Sequence, residues 1–357
     1  MKKILIIDDS ALMRTVLSDI INSDSRFHVE ETAKDGVEGL ELLKKKSYDA
    51  VVLDVNMPRM DGITLLKEIQ RNNIRTKVMM ASTDTKEGAK VTMDALELGA
   101  LDFVHKPDRA SACREADFSD QLLNTLAAVA ESRTVGTAFR PVSSEERKAS
   151  QKVVELVSRS AHKVTGNKIV ALASSTGGPR ALQSVIPKLP KNLKAPVVLV
   201  QHMPQGFTAS LAERLDSLSD IHVKEAKEGD VIEAGTVYIA AGGKHMHIKT
   251  AGGRHTIYYK DGPTREGVRP CANFMYESLM DSDFDEVVCV VLTGMGADGT
   301  EGIKNLEGKK KVHVIGQDEA TCTVYGMPKS VAVAGLVDQV VPLDNVAQEI
   351  IINVGVK

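Results

Sequence analysis

The chain is short of several things, and each absence removes a class of function. Its 357 residues contain only four cysteines (Cys113, Cys271, Cys289 and Cys322), far apart and with no CxxC pair. That argues against a disulfide framework or a cysteine-ligated zinc site and fits reduced thiols in the cytoplasm. No stretch of about 18 apolar residues occurs, so no membrane insertion is expected. Met1-Lys2-Lys3 leads into a strand-like run and not into a long apolar signal segment. There is no basic excess either. The formal net charge is -3, and binding nucleic acid requires a basic face to neutralise phosphates, so nucleic acid is not expected as a partner. The hydrophobic share of 43% is ample for buried cores. The length predicts about two domains.

The first part alternates two periodicities. Apolar runs at 3–7, 28–32, 49–53, 77–81 and 101–104 read as strands, with amphipathic helices over 11–21, 36–45, 62–71, 86–98 and 117–130. Strands alternating with helices predict a parallel, doubly wound sheet. From 131 to 165 apolar density falls, although Val153, Val154 and Val157 recur at helical spacing and predict a helix over 145–162. This gives a first domain over 1–130, a linker over 131–165 and a second domain over 166–357. The second domain is read as a Rossmann-like α/β fold with buried parallel strands at 168–173, 196–200, 287–292 and 312–316. Short strands at 236–240, 245–249 and 255–259, with Gly242-Gly243 and Gly252-Gly253 between them, predict an insertion of antiparallel hairpins.

Chemistry collects where strands of the first domain end, the place where doubly wound sheets bind ligands. Asp8 and Asp9 follow the first strand, Asp54 the third and Ser82 the fourth, and Lys106 follows the fifth. Adjacent carboxylates repel unless something positive joins them. Mg²⁺ suits such carboxylates together with a backbone carbonyl. Asp54 can then attack phosphorus to give an acyl phosphate. Lys106 can pair with the phosphoryl oxygens, and the Ser82 hydroxyl can donate to one. A lone Asp at a strand end means little, but matching residue types at several strand ends carry weight.

In the second domain, Lys168-Ile169-Val170-Ala171-Leu172-Ala173 runs into Ser174-Ser175-Thr176-Gly177-Gly178-Pro179. A buried strand there meets a tight turn and a helix start, with Pro well placed for the first helical turn. Such a turn presents a hydroxyl beside free backbone N–H groups, which suit an oxyanion or a phosphate. Ala173-x-Ser175-x-Gly177 approaches the G-x-S-x-G nucleophile elbow; Ser174 is the alternative nucleophile, and a phosphate-binding loop is the rival reading. His202 follows the next strand in Gln201-His202-Met203-Pro204, and Asp298 lies in Thr293-Gly294-Met295-Gly296-Ala297-Asp298-Gly299. Serine, histidine and aspartate on one sheet edge would complete a nucleophile–base–anion relay. Asp298 has a rival role as cap of the helix that follows it. His245-x-His247 is a rival metal pair, read instead as ordinary surface or hairpin histidines.

These motifs carry two resemblances. Ile7-Asp8-Asp9-Ser10, Leu53-Asp54-Val55-Asn56-Met57-Pro58, Met60-Asp61-Gly62, Ser82 and Lys106-Pro107 resemble the receiver domains of two-component response regulators. That implies a flavodoxin-like first domain, phosphorylated on Asp54 by a histidine kinase. It also implies Mg²⁺ held at Asp8, Asp9, Asp54 and Asn56, and switch residues Ser82, Phe103 and Lys106. Ser175-Thr176-Gly177-Gly178-Pro179, Gln201-His202-Met203-Pro204 and the 293–299 loop resemble the catalytic domain of chemotaxis-type protein-glutamate methylesterases. That implies a triad of Ser175, His202 and Asp298, with Met295 at the oxyanion hole and Thr176 positioning. It implies an esterase step without a cofactor, on methyl-accepting chemotaxis proteins, with glutamine deamidation as a second activity. Two segments depart from the family pattern: Ala173-Ser174 before the serine, and Arg269-Pro270-Cys271-Ala272-Asn273-Phe274, which is expected to bear on substrate fit. A transcription factor would need a small basic helical effector. A nucleotide-binding effector would leave His202 and Asp298 unused. A non-catalytic scaffold of methylesterase descent is the third alternative.

Overall fold

The computed structural model describes residues 1–83, 86–107, 116–132, 143, 154 and 166–357. The chain divides into two compact units, Met1–Phe139 and Arg140–Lys357. Except for Val154, the helix expected over 145–162 lies outside the described residues.

The first unit is a five-stranded parallel sheet: β1 (Lys2–Ile7), β2 (Phe27–Ala33), β3 (Ala50–Asp54), β4 (Val78–Thr83) and β5 (Asp102–Lys106). Helices Ala11–Ser23, Gly36–Lys45, Gly62–Arg71, Lys86–Glu97 and Ala116–Glu131 follow the strands in turn. Ile4 to Ile7 and Ala50 to Leu53 are buried, as continuous apolar runs should be when helices cover both faces of a sheet. Side chains start the helices. Ser10 accepts the Met13 N–H at 3.3 Å, Asp35 accepts those of Val37 and Glu38, and Asp61 accepts that of Thr64 at 2.6 Å. The strand order β2-β1-β3-β4-β5 reverses direction at β1 and β3, so the crevice at the switch point opens beside Asp8, Asp9 and Asp54. Gly62 permits a close approach there, since a Cβ would stand 2.3 Å from the Asp54 carbonyl oxygen.

The second unit holds a seven-stranded sheet in the order β14-β13-β12-β6-β7-β9-β8. Its strands are β6 (Lys168–Ser174), β7 (Val197–Gln201), β8 (His222–Glu225), β9 (Thr236–Ile239), β12 (Glu286–Val291), β13 (Lys311–Gln317) and β14 (Gln339–Val341), and neighbours pair in parallel. β10 (His245–Ala251) and β11 (Arg254–Lys260) form a separate antiparallel hairpin, turned by Gly252 and Gly253 with φ of 59° and 71°. The segment at 236–240 is therefore not part of an antiparallel hairpin. β9 pairs in parallel with β7 and β8, and Val237, Tyr238 and Ile239 are buried in the main sheet. Gly242 is not a hairpin turn but a close backbone contact, because a Cβ there would lie 2.2 Å from the Pro204 carbonyl oxygen. β6 lies between β12 and β7, so the chain leaves β6 one way and returns on its other side. This second switch point carries the ends of β6, β7 and β12.

Candidate active site

In the first unit, β1 and β3 deliver Asp8, Asp9 and Asp54, each with a carboxylate oxygen within 4.8 Å of the others. Among the described residues this is the group of three side chains suited to a metal. Lys106, buried at the end of β5, reaches Asp8 at 3.0 Å and also pairs closely with Asp54. Burial works against the Lys106 ammonium, but Asp54 and Asp8 outweigh it and hold it above the usual lysine range. Burial lifts the Asp54 carboxyl above the usual carboxylate range, with Lys106 opposing and Asp8 adding to the rise. Ser82 on β4 and Phe103 on β5 are buried, while Asn56 is exposed just past β3. Arg14 escaped the sequence reading. It donates to the Asp8 and Asp9 carbonyls at 2.8 and 3.1 Å and so steadies the acidic turn. A basic residue one turn past the Ser10 cap was the available signal.

In the second unit, β6 ends in two serines with different surroundings. Ser174 is fully buried, and its hydroxyl donates to Gln201 Oε1 at 2.7 Å. Ser175 is half-buried, and its N–H donates to the Thr293 carbonyl at 3.0 Å. Gly177 follows with φ of 75°, and a Cβ there would lie 2.4 Å from Thr323 Oγ1, so glycine is required on both counts. The helix Gly178–Val185 then begins, with Pro179 in its first turn. Gln201 ties the elements together, since its Nε2 donates to the carbonyls of Ser175 at 2.9 Å and His202 at 3.2 Å. The His202 N–H donates to the Ser174 carbonyl at 3.1 Å. The loop after β12 closes on the same place. A Cβ on Gly294 would lie 2.8 Å from Ser175 Cβ, the Thr293 hydroxyl donates to the Thr176 carbonyl at 2.9 Å, and Met295 is exposed beside them.

His202 Nε2–H donates to Asp298 Oδ2 at 2.7 Å, which leaves Nδ1 as the ring nitrogen not engaged by Asp298. Asp298 is buried and does not cap the helix that follows it, Thr300–Glu307, whose cap position is Gly299 with no side-chain bond. It accepts instead from the first N–H groups of another helix, Ala272–Ser278: Ala272 to Oδ2 at 2.6 Å and Asn273 to Oδ1 at 2.9 Å. The Cys271 thiol adds a donor to Oδ1 at 3.0 Å. Burial opposes ionisation of Asp298, yet the bond and charge of His202, then Cys271 and Ala272, hold its carboxyl below the usual carboxylate range. Asn273 returns the grip. Its Oδ1 accepts from the N–H groups of Gly299 at 3.0 Å and Gly302 at 2.6 Å, and its Nδ2 donates to Glu266 at 2.7 Å. Residues 271–273 thus sit against the buried carboxylate, a role for this segment beyond its expected bearing on substrate fit.

His245 and His247 are buried in an aromatic cluster and are not surface histidines. The His245 ring meets Phe274 edge-on at 4.8 Å and donates to the Pro263 carbonyl at 3.1 Å, while His247 stacks on Tyr258 at 5.2 Å. Burial, with Lys260 and His245 adding, lowers the His247 imidazole to about 4.

Comparison with known proteins matches residues 170–350 to the CheB methylesterase family and residues 4–116 to the response regulator receiver domain. The chain is 42% identical to the protein-glutamate methylesterase/protein-glutamine glutaminase of Pyrococcus abyssi, over 98% of this chain and 92% of that one. The chain belongs to the CheB methylesterase family. The Bacillus subtilis protein of the same name is also 42% identical, covering 98% of both chains. The crystal structure of the Thermotoga maritima CheB methylesterase catalytic domain superposes with a TM-score of 0.51 at 43% identity, covering 52% of this chain and 98% of that one. As a CheB methylesterase with a receiver domain, the chain is a hydrolase of the response-regulator type. No helix among its described residues is long and apolar enough to cross a membrane.

Proposed function

We propose that this chain is a phosphorylation-regulated protein-glutamate methylesterase. It hydrolyses γ-methyl glutamate esters on methyl-accepting chemotaxis proteins and deamidates glutamines at such sites. The observation that carries the reading is the 2.7 Å His202–Asp298 pair at the sheet edge that also bears the half-buried Ser175. Ser174 is a poor rival nucleophile, because its hydroxyl is buried and committed to Gln201.

Ser175 Oγ attacks the ester carbonyl carbon, and its proton passes to His202 through the ring nitrogen that Asp298 does not hold. Asp298 fixes the tautomer and offsets the imidazolium charge. Backbone N–H groups of the Ser175 turn and of Met295 receive the oxyanion, while Thr176 steadies the turn. The tetrahedral species collapses, and methanol leaves with the proton from His202. Water then attacks the acyl-enzyme with His202 again as base, which releases the glutamate carboxylate and restores the serine. An amide substrate follows the same path and releases ammonia. The esterase step needs no cofactor.

In the receiver, Asp54 accepts phosphate from a histidine kinase, Lys106 and Ser82 engage the phosphoryl oxygens, and Phe103 reports the change. The clustered carboxylates are a hard oxygen set that fits Mg²⁺, held by Asp8, Asp9, Asp54 and the Asn56 position. Bound there, the ion would offset the charge of the phosphoryl group. Buried free thiols at Cys271, Cys289 and Cys322 support a reducing, cytoplasmic compartment.

The test is methanol release from a methylated receptor, read beside labelling by a fluorophosphonate probe. Ser175→Ala is expected to lower the rate by roughly three to six decades and to abolish labelling. Hydrolysis that survives this change would remove Ser175 from the reaction.

A further inference from the structure

Neutral donors pack against Asp298, and what they do for the reaction rests on the Ser-His-Asp reading above. Four groups divide the carboxylate between them. Oδ2 receives His202 and the Ala272 N–H; Oδ1 receives the Asn273 N–H and the Cys271 thiol. The two backbone donors open the helix Ala272–Ser278, and the Asn273 side chain ties that helix start to the Gly299 and Gly302 N–H groups at the start of the helix Thr300–Glu307. Cys271 is therefore the donor from a side chain that could be exchanged without unmaking the backbone cradle. It is fully buried, which shields it from solvent oxidants and alkylating reagents. Burial first, and Asp298 next, push its thiol far up, so it remains an S–H donor throughout the working pH range.

We propose that Cys271 is a positioning residue for the hydrolysis: its thiol occupies Asp298 Oδ1 and so keeps Oδ2 turned to His202. Loss of the thiol leaves Oδ1 with one donor. The carboxylate gains freedom to rotate away from the imidazole. It also becomes more basic, because a donor that drained its charge is gone, and a more basic carboxylate holds the His202 proton more tightly. The acid limb of the rate profile should then move to higher pH. The charged and titratable groups around this pair are His202 beyond β7, His245 on β10, Arg265 in the loop before Cys271, and Tyr276 on the helix it precedes. None of them changes in the test.

The experiment measures kcat, KM and the pH profile of ester hydrolysis by the full chain, with melting temperature alongside. Cys271→Ala is expected to lower kcat about 3- to 10-fold, the scale of one modest hydrogen bond, with KM unchanged and the acid limb raised. Cys271→Ser, which keeps a donor and strengthens it, is expected to hold kcat within about 2-fold of the parent, with the acid limb unmoved or lower. If alanine leaves both kcat and the acid limb unchanged, the thiol does not position Asp298. If serine also loses activity and neither variant moves the limb, Cys271 only fills space, and the proposal is overturned. Should the alanine variant fail to fold, the serine profile alone decides by the same criterion. An inactive Ser175→Ala protein beside a fully active Cys271→Ala protein would overturn this proposal while leaving the esterase reading intact. Activity in both would overturn the Ser-His-Asp reading on which this proposal rests.

Discussion

At the mouth of the first sheet, three carboxylates face one buried ammonium, and two of them pair with it. At the mouth of the second, one carboxylate is enclosed by an imidazole, a thiol and two backbone amides. The first cluster sets three carboxylates against one ammonium, and Asp54 is lifted, by burial first, with Asp8 adding and Lys106 opposing. The second is satisfied on both oxygens, and its pKa is held down in spite of burial. An unbalanced cluster suits an incoming cation and phosphoryl group, which complete it. A completed cluster suits an orienting role, in which the acid must not move or change its charge.

The comparison can be broken most sharply at Asp298. Asp298→Asn substitutes an amide for an anion whose partners are all donors, so one amide nitrogen must face a donor. Ester hydrolysis is expected to fall by about four decades, the scale seen when a triad loses its anion. A rate within tenfold of the parent would mean that completion of this site serves packing alone. The next largest effect is expected at Lys106. Lys106→Met leaves buried Asp8 and Asp54 without their cation and should destabilise the first unit by about 3–5 kcal/mol in denaturant unfolding. Added Mg²⁺ should recover part of that loss by supplying the missing charge. An unchanged midpoint would show that the charge imbalance is not what this unit must balance to fold. The smallest effect belongs to the hairpin. His247 titrates at 6.5 when unfolded and about 4 when folded, so between these values the unfolded chain binds the extra proton. Stability of the second unit should therefore fall as pH drops from 6.5 to 4, by on the order of 1–3 kcal/mol from this residue. His247→Phe should flatten that decline, since it keeps the stack on Tyr258 and removes the titration. A decline as steep in the variant as in the parent would assign it to other groups.

The strands of both sheets were legible wherever helices cover both faces, because such strands must be apolar along their whole length. β8 and β14 escaped because each is short and lies at a sheet edge: His222-Val-Lys-Glu and Gln339-Val-Val offer too few apolar positions to stand out. β9 was placed in the wrong sheet because its glycine-rich neighbours mimic a hairpin turn, whereas Gly242 is small to clear the Pro204 backbone. Asp8, Asp54, Lys106, Ser175, His202 and Asp298 could be read at strand ends, since a parallel sheet gathers its carboxyl ends on one side. Arg14, Gln201, Cys271 and Asn273 could not, because each acts through a hydrogen bond that no spacing rule encodes.

What the order of residues determined by itself was the alternation of buried strand and amphipathic helix, and with it the sheet edge where each chemical group must emerge. Hydrophobic burial acts on every residue of a segment, so its pattern is written in full along the chain. Which serine hydroxyl is accessible, which helix Asp298 binds and which oxygen faces His202 were decided only on folding. Each depends on single directional bonds between residues remote in sequence, such as Cys271 and Asp298, and such bonds exist only once the packed sheet has brought the two loops together.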